Sequence, residues 1–233
     1  MTRRTNARIA GLTFLFYIAV AFPSIVLMNR ATDAEGTAAK LARIAEHSSD
    51  VGLAILLTLL SCFCAIVLAV TLYGITRDED HELALMTMVF RLSEGVLGAV
   101  GIPSMIALLW LATAGSGANA PDATTANVIG FFLLMPAPMN GAPFFAVGSL
   151  IFSYLLLRGR IVPVLLAWIG VLASALLVVC LPLQLAGFLK GPIASYMWLP
   201  MLAFEVPLGL WLLIKGAGAP KTRGAAGFLA PQA

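Results

Sequence analysis

Six apolar stretches, each about the length that spans a bilayer hydrocarbon core some 30 Å thick, follow one another along this chain. They run over Ile9–Met28, Val51–Ile75, Leu83–Ala112, Ala126–Leu157, Ile161–Gly187 and Ser195–Ile214. A soluble chain has no use for that pattern. Of its 233 residues 61% are hydrophobic and 11% charged, against about 45–50% and about 25% in ordinary soluble domains. A domain of this size hides at most about three quarters of its surface, so the excess must face lipid. The sequence therefore predicts an all-α, polytopic membrane protein built as a six-helix bundle, with the lipid bilayer as its first partner. Residues 1–216 form the transmembrane domain, and 217–233, which lack periodicity, are expected to be a flexible tail.

The first stretch could pass for a signal peptide, since Ala19-Val20-Ala21 resembles a cleavage site. The apolar run continues to Met28, and a retained first helix is the better reading. Lysine and arginine set the orientation. With the N-terminus cytoplasmic, that side holds Arg3, Arg4, Arg8, Arg77, Arg158, Arg160, Lys215, Lys221 and Arg223, against Arg30, Lys40, Arg43 and Lys190 opposite. Both termini are expected inside. The third and fourth stretches are long enough that they must tilt, kink or project. In the first outer loop, Leu41, Ile44 and Ala45 share a helical face, the pattern of a short amphipathic helix on the membrane surface or of a solvated loop with some helicity. Ala114–Thr125 reads as a plain connection.

Charges inside the apolar stretches are the informative residues. Each costs about 2.5–3.5 kcal/mol at a helix centre even on lenient scales, so such side chains turn inward and find partners. Arg91 and Glu94 lie about 12 and 16 Å into the third helix, and Glu205 about 15 Å from the inner end of the sixth, at 1.5 Å per residue. All three occupy one layer, and Arg91 is expected to bridge Glu94, Glu205 or both. One cation and two carboxylates leave an excess negative charge that favours a proton or a cation. Either the cluster pins the third helix to the sixth, or it is the polar site of a carrier. Small residues at Gly95, Gly98, Ala99 and Gly101 suggest that the third helix is the central, tightly packed one.

In the fourth stretch, Met135-Pro136-Ala137-Pro138-Met139-Asn140-Gly141-Ala142-Pro143 should break the helix near mid-membrane, because each proline removes a backbone hydrogen bond. Such a break is tolerated where it is buried or lines a wet cavity. Asn140 could then meet a ligand there, or the prolines could only bend the helix. Arg91, Glu94, Glu205 and Asn140 are thus the candidate substrate- or ion-binding residues.

Other motifs carry less. Cys62-Phe63-Cys64 is too closely spaced for a zinc site, and its sulfurs point to different sides of a helix. Asp78-Glu79-Asp80-His81-Glu82 invites a metal, but its place before the third helix suits an N-terminal cap better. His47 beside Asp50 reads as an ordinary surface histidine. No nucleophile elbow, zinc-protease helix or phosphate loop occurs, and nothing suggests a cofactor, a metal, catalytic residues or a nucleic-acid surface.

Four segments in order carry a family resemblance: Ala7-Arg8-Ile9-Ala10-Gly11-Leu12, Phe90-Arg91-Leu92, Arg158-Gly159-Arg160-Ile161-Val162-Pro163, and Glu205 followed by Leu210-Trp211-Leu212-Leu213-Ile214-Lys215-Gly216. From Ala7 to Gly216 the chain resembles the bacterial domain-of-unknown-function 4386 family of small multi-pass membrane proteins. The resemblance implies a bacterial inner (plasma) membrane location and makes the counterparts of Arg91 and Glu205 part of the family pattern. It implies no activity, and the prolines of the fourth stretch depart from the pattern. Three functions stay open: a small carrier or permease, an accessory subunit of a larger membrane complex or homo-oligomer, and an intramembrane enzyme acting on a lipid.

Overall fold

A computed structural model describes residues 1–115, 120–134, 141–189 and 191–218. The described residues form ten helices: α1 (Arg3–Ala31), α2 (Thr37–Glu46), α3 (Ser48–Thr76), α4 (His81–Val100), α5 (Ile102–Thr113), α6 (Ala123–Leu134), α7 (Ala142–Gly159), α8 (Val164–Leu185), α9 (Pro192–Tyr196) and α10 (Leu199–Ile214). Five helical spans are long and apolar enough to cross a membrane: α1, α3, α4 with α5, α7 and α8. The surface is inside-out relative to a soluble protein. Phe22, Leu56, Phe63, Val96, Leu165 and Leu172 are exposed, whereas Arg91, Glu94, Ser153, Ser174 and Glu205 are buried.

Local chemistry sets the helix ends. Thr2 caps α1 by accepting from the Thr5 amide, and Asp80 caps α4 by accepting from the Leu83 amide at 3.2 Å. Asp122 accepts from the amides of Thr124 and Thr125 and from the Thr125 hydroxyl. The end of the expected plain connection is therefore the start of α6. α7 ends on Arg160, the sole non-glycine residue with positive φ (50°) among those described, and Ile161 and Val162 then turn inward, buried.

One expectation, the central place of the third helix, changes, while the kink in that helix is among the outcomes expected of its length. The third stretch kinks at Gly101, with Pro103 in the first turn of α5, where its missing amide costs nothing. In the fourth stretch α6 has 12 residues and α7 has 18, and Met135–Asn140, where the break is expected, lie outside the described residues. The central helix is α7, half of whose apolar stretch is buried, against 17% for α4 with α5. The sixth stretch is short as well, 16 residues in α10 after the small α9. Lys190 and residues 219–233, which include most of the expected tail, also lie outside the described residues.

The start of α1, the end of α3, the start of α4, the end of α7 and the end of α10 gather on one face. Arg3 bonds Glu79 at 3.2 Å and Arg158 bonds Asp80 at 2.8 Å, while the Gly218 amide donates to the Ile161 carbonyl. Both ends of the described chain thus lie on the same side. At the opposite end, α2 forms as the amphipathic pattern suggests. Its Ile44, however, is fully buried with Ala31, Val51 and Leu108, so its apolar side packs on protein rather than on lipid.

Candidate polar site within the membrane span

The site grows out of α4. Its buried residues Ala84, Thr87, Arg91, Glu94 and Gly95 recur every three or four positions, which is one face of a helix. On that face Arg91 is 1% exposed. It donates through Nη1 to Glu94 Oε2 at 2.9 Å, and its Nη2 lies 3.5 Å from Glu205 Oε1. The first contact is a charge-assisted hydrogen bond. The second is an ion pair at the limit of hydrogen-bond reach.

α4 and α10 are not among the closely packed helix pairs; α10 packs on α1 and α8. The long arginine therefore bridges a gap, rather than pinning two helices already in contact. Aromatic rings hold it on its course. The guanidinium carbon lies 4.6 Å from the ring centroid of Phe145 on α7 and 5.7 Å from that of Phe14 on α1, within the range where a ring face attracts a cation.

Glycines bring the backbones close enough for this reach. A Cβ on Gly148 would lie 3.1 Å from Phe90 and one on Gly141 only 2.7 Å from the Glu94 carbonyl. The start of α7 is thus seated against α4 at the level of Glu94. Gly11 and Gly209 form the crossing of α1 and α10. A Cβ on Gly11 would stand 2.5 Å from the Leu213 amide nitrogen, and Glu205 lies one turn before Gly209.

Tyr17 on α1 is the participant that sequence reasoning missed. Its hydroxyl donates to Glu94 Oε1 at 3.0 Å. A single tyrosine in an apolar helix resembles an interface anchor, and its spacing of three from Phe14 is the only hint that both face one partner. Glu94 thus receives a donor on each oxygen. Glu205 Oε1 accepts no hydrogen bond, and Arg91 Nε makes none, among the described residues. Asn140, the fourth sequence candidate, lies outside them.

The remaining motifs separate from this site. Glu79 and Asp80 of the acidic run staple α1 and α7 to the start of α4, and the Leu83 amide, with Arg158, holds the Asp80 carboxyl below the usual carboxylate range. The His47 Nδ1 stays within hydrogen-bond distance of its own helix at the Arg43 carbonyl. Cys62 is buried, and a Cβ on Gly98 would approach its sulfur at 3.3 Å, a packing contact. No metal-binding cluster occurs among the described residues. A cavity of about 370 Å³ opens between α2, α5 and α6, lined by Leu41, Leu111 and Ala126 among others; none of its lining residues belongs to the charged cluster.

Chemically, the arrangement is a fixed cation with two carboxylates of unequal surroundings, enclosed by aromatic rings. Such a set can hold a proton or position an ion. No curated protein and no solved structure matches the chain. The family described as Domain of unknown function (DUF4386) matches residues 9–216, and this integral membrane chain belongs to that family.

Proposed function

We propose that the protein is a small carrier of the bacterial inner membrane, coupled to a proton or cation through the Arg91–Glu94–Glu205 cluster. The observation that carries the reading is the uneven charge of that cluster, one guanidinium against two carboxylates, all buried within the span. Ionisable groups there are costly and usually mark an ion or proton path. The seat of α7 on Glu94 adds support, since it brings the start of a helix against the residue that carries a buried carboxylate. Arg3, Arg4, Arg77, Arg158 and Arg160 lie toward the face that gathers both chain ends, which suits a cytoplasmic placement of that face.

The test is uptake by proteoliposomes of a panel of amino acids, sugars and small organic ions, read together with internal pH. Uptake of at least one solute is expected, and its loss in Glu205→Gln. Uptake unchanged in Glu205→Gln overturns the proposal. A second reading, a subunit that docks on a larger membrane complex, is favoured by α6, where Val128, Phe131 and Phe132 are exposed and only Gly130 is buried. A protein that runs alone in mild detergent counts against it.

A further inference from the structure

We infer that Glu205 is the member of the cluster that binds and releases a proton, and that Tyr17 is the positioning residue that keeps Glu94 from sharing that role. The inference deepens the carrier reading by naming the coupling ion and its residue.

The two carboxylates share one guanidinium but not one environment. Glu94 accepts from Arg91 on Oε2 and from the Tyr17 hydroxyl on Oε1. Each Glu94 oxygen is thus already taken by a donor. Glu205 is as buried as Glu94, each being 6% exposed. Its Oε1 nevertheless accepts no hydrogen bond among the described residues, and the nearest cation stands at 3.5 Å. An anion there is buried with one cation at 3.5 Å and no hydrogen bond on Oε1, a costlier setting than that of Glu94. A proton bonded to Oε1 leaves one guanidinium, one carboxylate and one neutral acid, and the excess charge is gone.

The groups facing Glu205 are few. From α4 come Arg91 and Glu94, and from α1 Tyr17 beyond Glu94. α8 carries no ionisable side chain except Cys180, and α10 itself has no other within the membrane. A metal cation fits less well than a proton. Arg91 already occupies the space between the carboxylates, and hard cations such as calcium ask for six or more oxygens.

Infrared difference spectroscopy of the protein in lipid, titrated with pH, reads a protonated carboxyl directly and requires no substrate. One buried carboxylic acid band is expected in the wild type. Glu205→Asp should shift its frequency, and Glu94→Asp should leave it in place. Tyr17→Phe should split the band in two, because an oxygen of Glu94 is then open to share the proton. Changing sodium for potassium or choline at fixed pH should do nothing.

A band that moves with Glu94→Asp instead, that survives Tyr17→Phe unsplit, or that vanishes on adding sodium overturns the assignment. So does the absence of any such band across the pH range in which the protein stays folded. The carrier reading stands or falls separately. A titrating Glu205 in a protein that takes up no solute removes the carrier and keeps the proton, and uptake without such a band does the reverse.

Discussion

The two sides of the molecule are built differently. On one, the first half of α1 and the second half of α3 pack with α7, α8 and α10 around Phe14, Leu68, Phe152, Phe204 and Leu208, all 0–1% exposed. On the other, α2, α5 and α6 meet the end of α1 and the start of α3 around a smaller cluster, which among the described residues holds Ala31, Ile44, Val51 and Leu108. Glycine behaves differently on the two sides as well. Gly11 meets backbone atoms across the helix crossing, whereas the atoms nearest a Cβ on Gly130 belong to the side chains of Leu41 and Thr37.

The difference follows from what holds helices together in lipid. Tails are as apolar as leucine, so association depends on close packing and on polar contacts rather than on escape from water. Long helices crossing at glycines supply that closeness. Short helices around a cavity of about 370 Å³ do not. The charged cluster belongs to the close-packed side, where rigid neighbours can hold an arginine at a fixed distance from two carboxylates.

Substitutions can break or sharpen this contrast. The largest effect is expected at the cores. Phe152→Ala should cost about 3–5 kcal/mol, and Ile44→Ala only about 2 kcal/mol, measured by thermal or denaturant unfolding in detergent; equal losses would end the distinction. Next come the glycines. Gly11→Ala forces a Cβ into backbone and should cost about 1–3 kcal/mol. Gly52→Ala, on α3 with nothing within 4 Å, should raise stability by about 0.5–1 kcal/mol through helix propensity.

The serines of the α7–α8 seam should respond weakly. Ser153 and Ser174 are buried with no protein hydrogen-bond partner for their hydroxyls among the described residues, so alanine at either should change stability by less than about 1 kcal/mol.

The smallest effect is at the face that gathers the chain ends. Asp80 has its carboxyl held below the usual range by the Leu83 amide and Arg158. A depressed folded value means stability that is present above the ordinary carboxylate range and lost as pH falls through the folded value. Asp80→Asn should therefore lower stability slightly at neutral pH and lessen the further loss in acid, followed by unfolding midpoints at several pH values.

Much of the site was legible in the sequence because charge inside an apolar stretch is expensive wherever it falls. Arg91, Glu94 and Glu205 stand out on that ground alone, and helix rise places them in one layer. Tyr17 did not stand out, since a tyrosine costs little in an apolar helix and gains its meaning only from the glutamate opposite. The small residues after Glu94 suggested a central third helix, yet a close approach to one neighbour, Gly95 against Cys62 of α3, does not enclose a helix on every side. The amphipathic face of α2 was equally ambiguous, because an apolar stripe looks the same whether protein or lipid covers it.

The sequence by itself determined the class of molecule, the apolar stretches in which its helices lie and the layer of buried charge, because hydrophobic length and the cost of charge are local properties. Only the tertiary structure decided which carboxylate received two donors and which was left without one on Oε1. That outcome depends on where α1, α7 and α10 cross α4, and so on glycine contacts between residues as distant in the chain as Gly11 and Leu213.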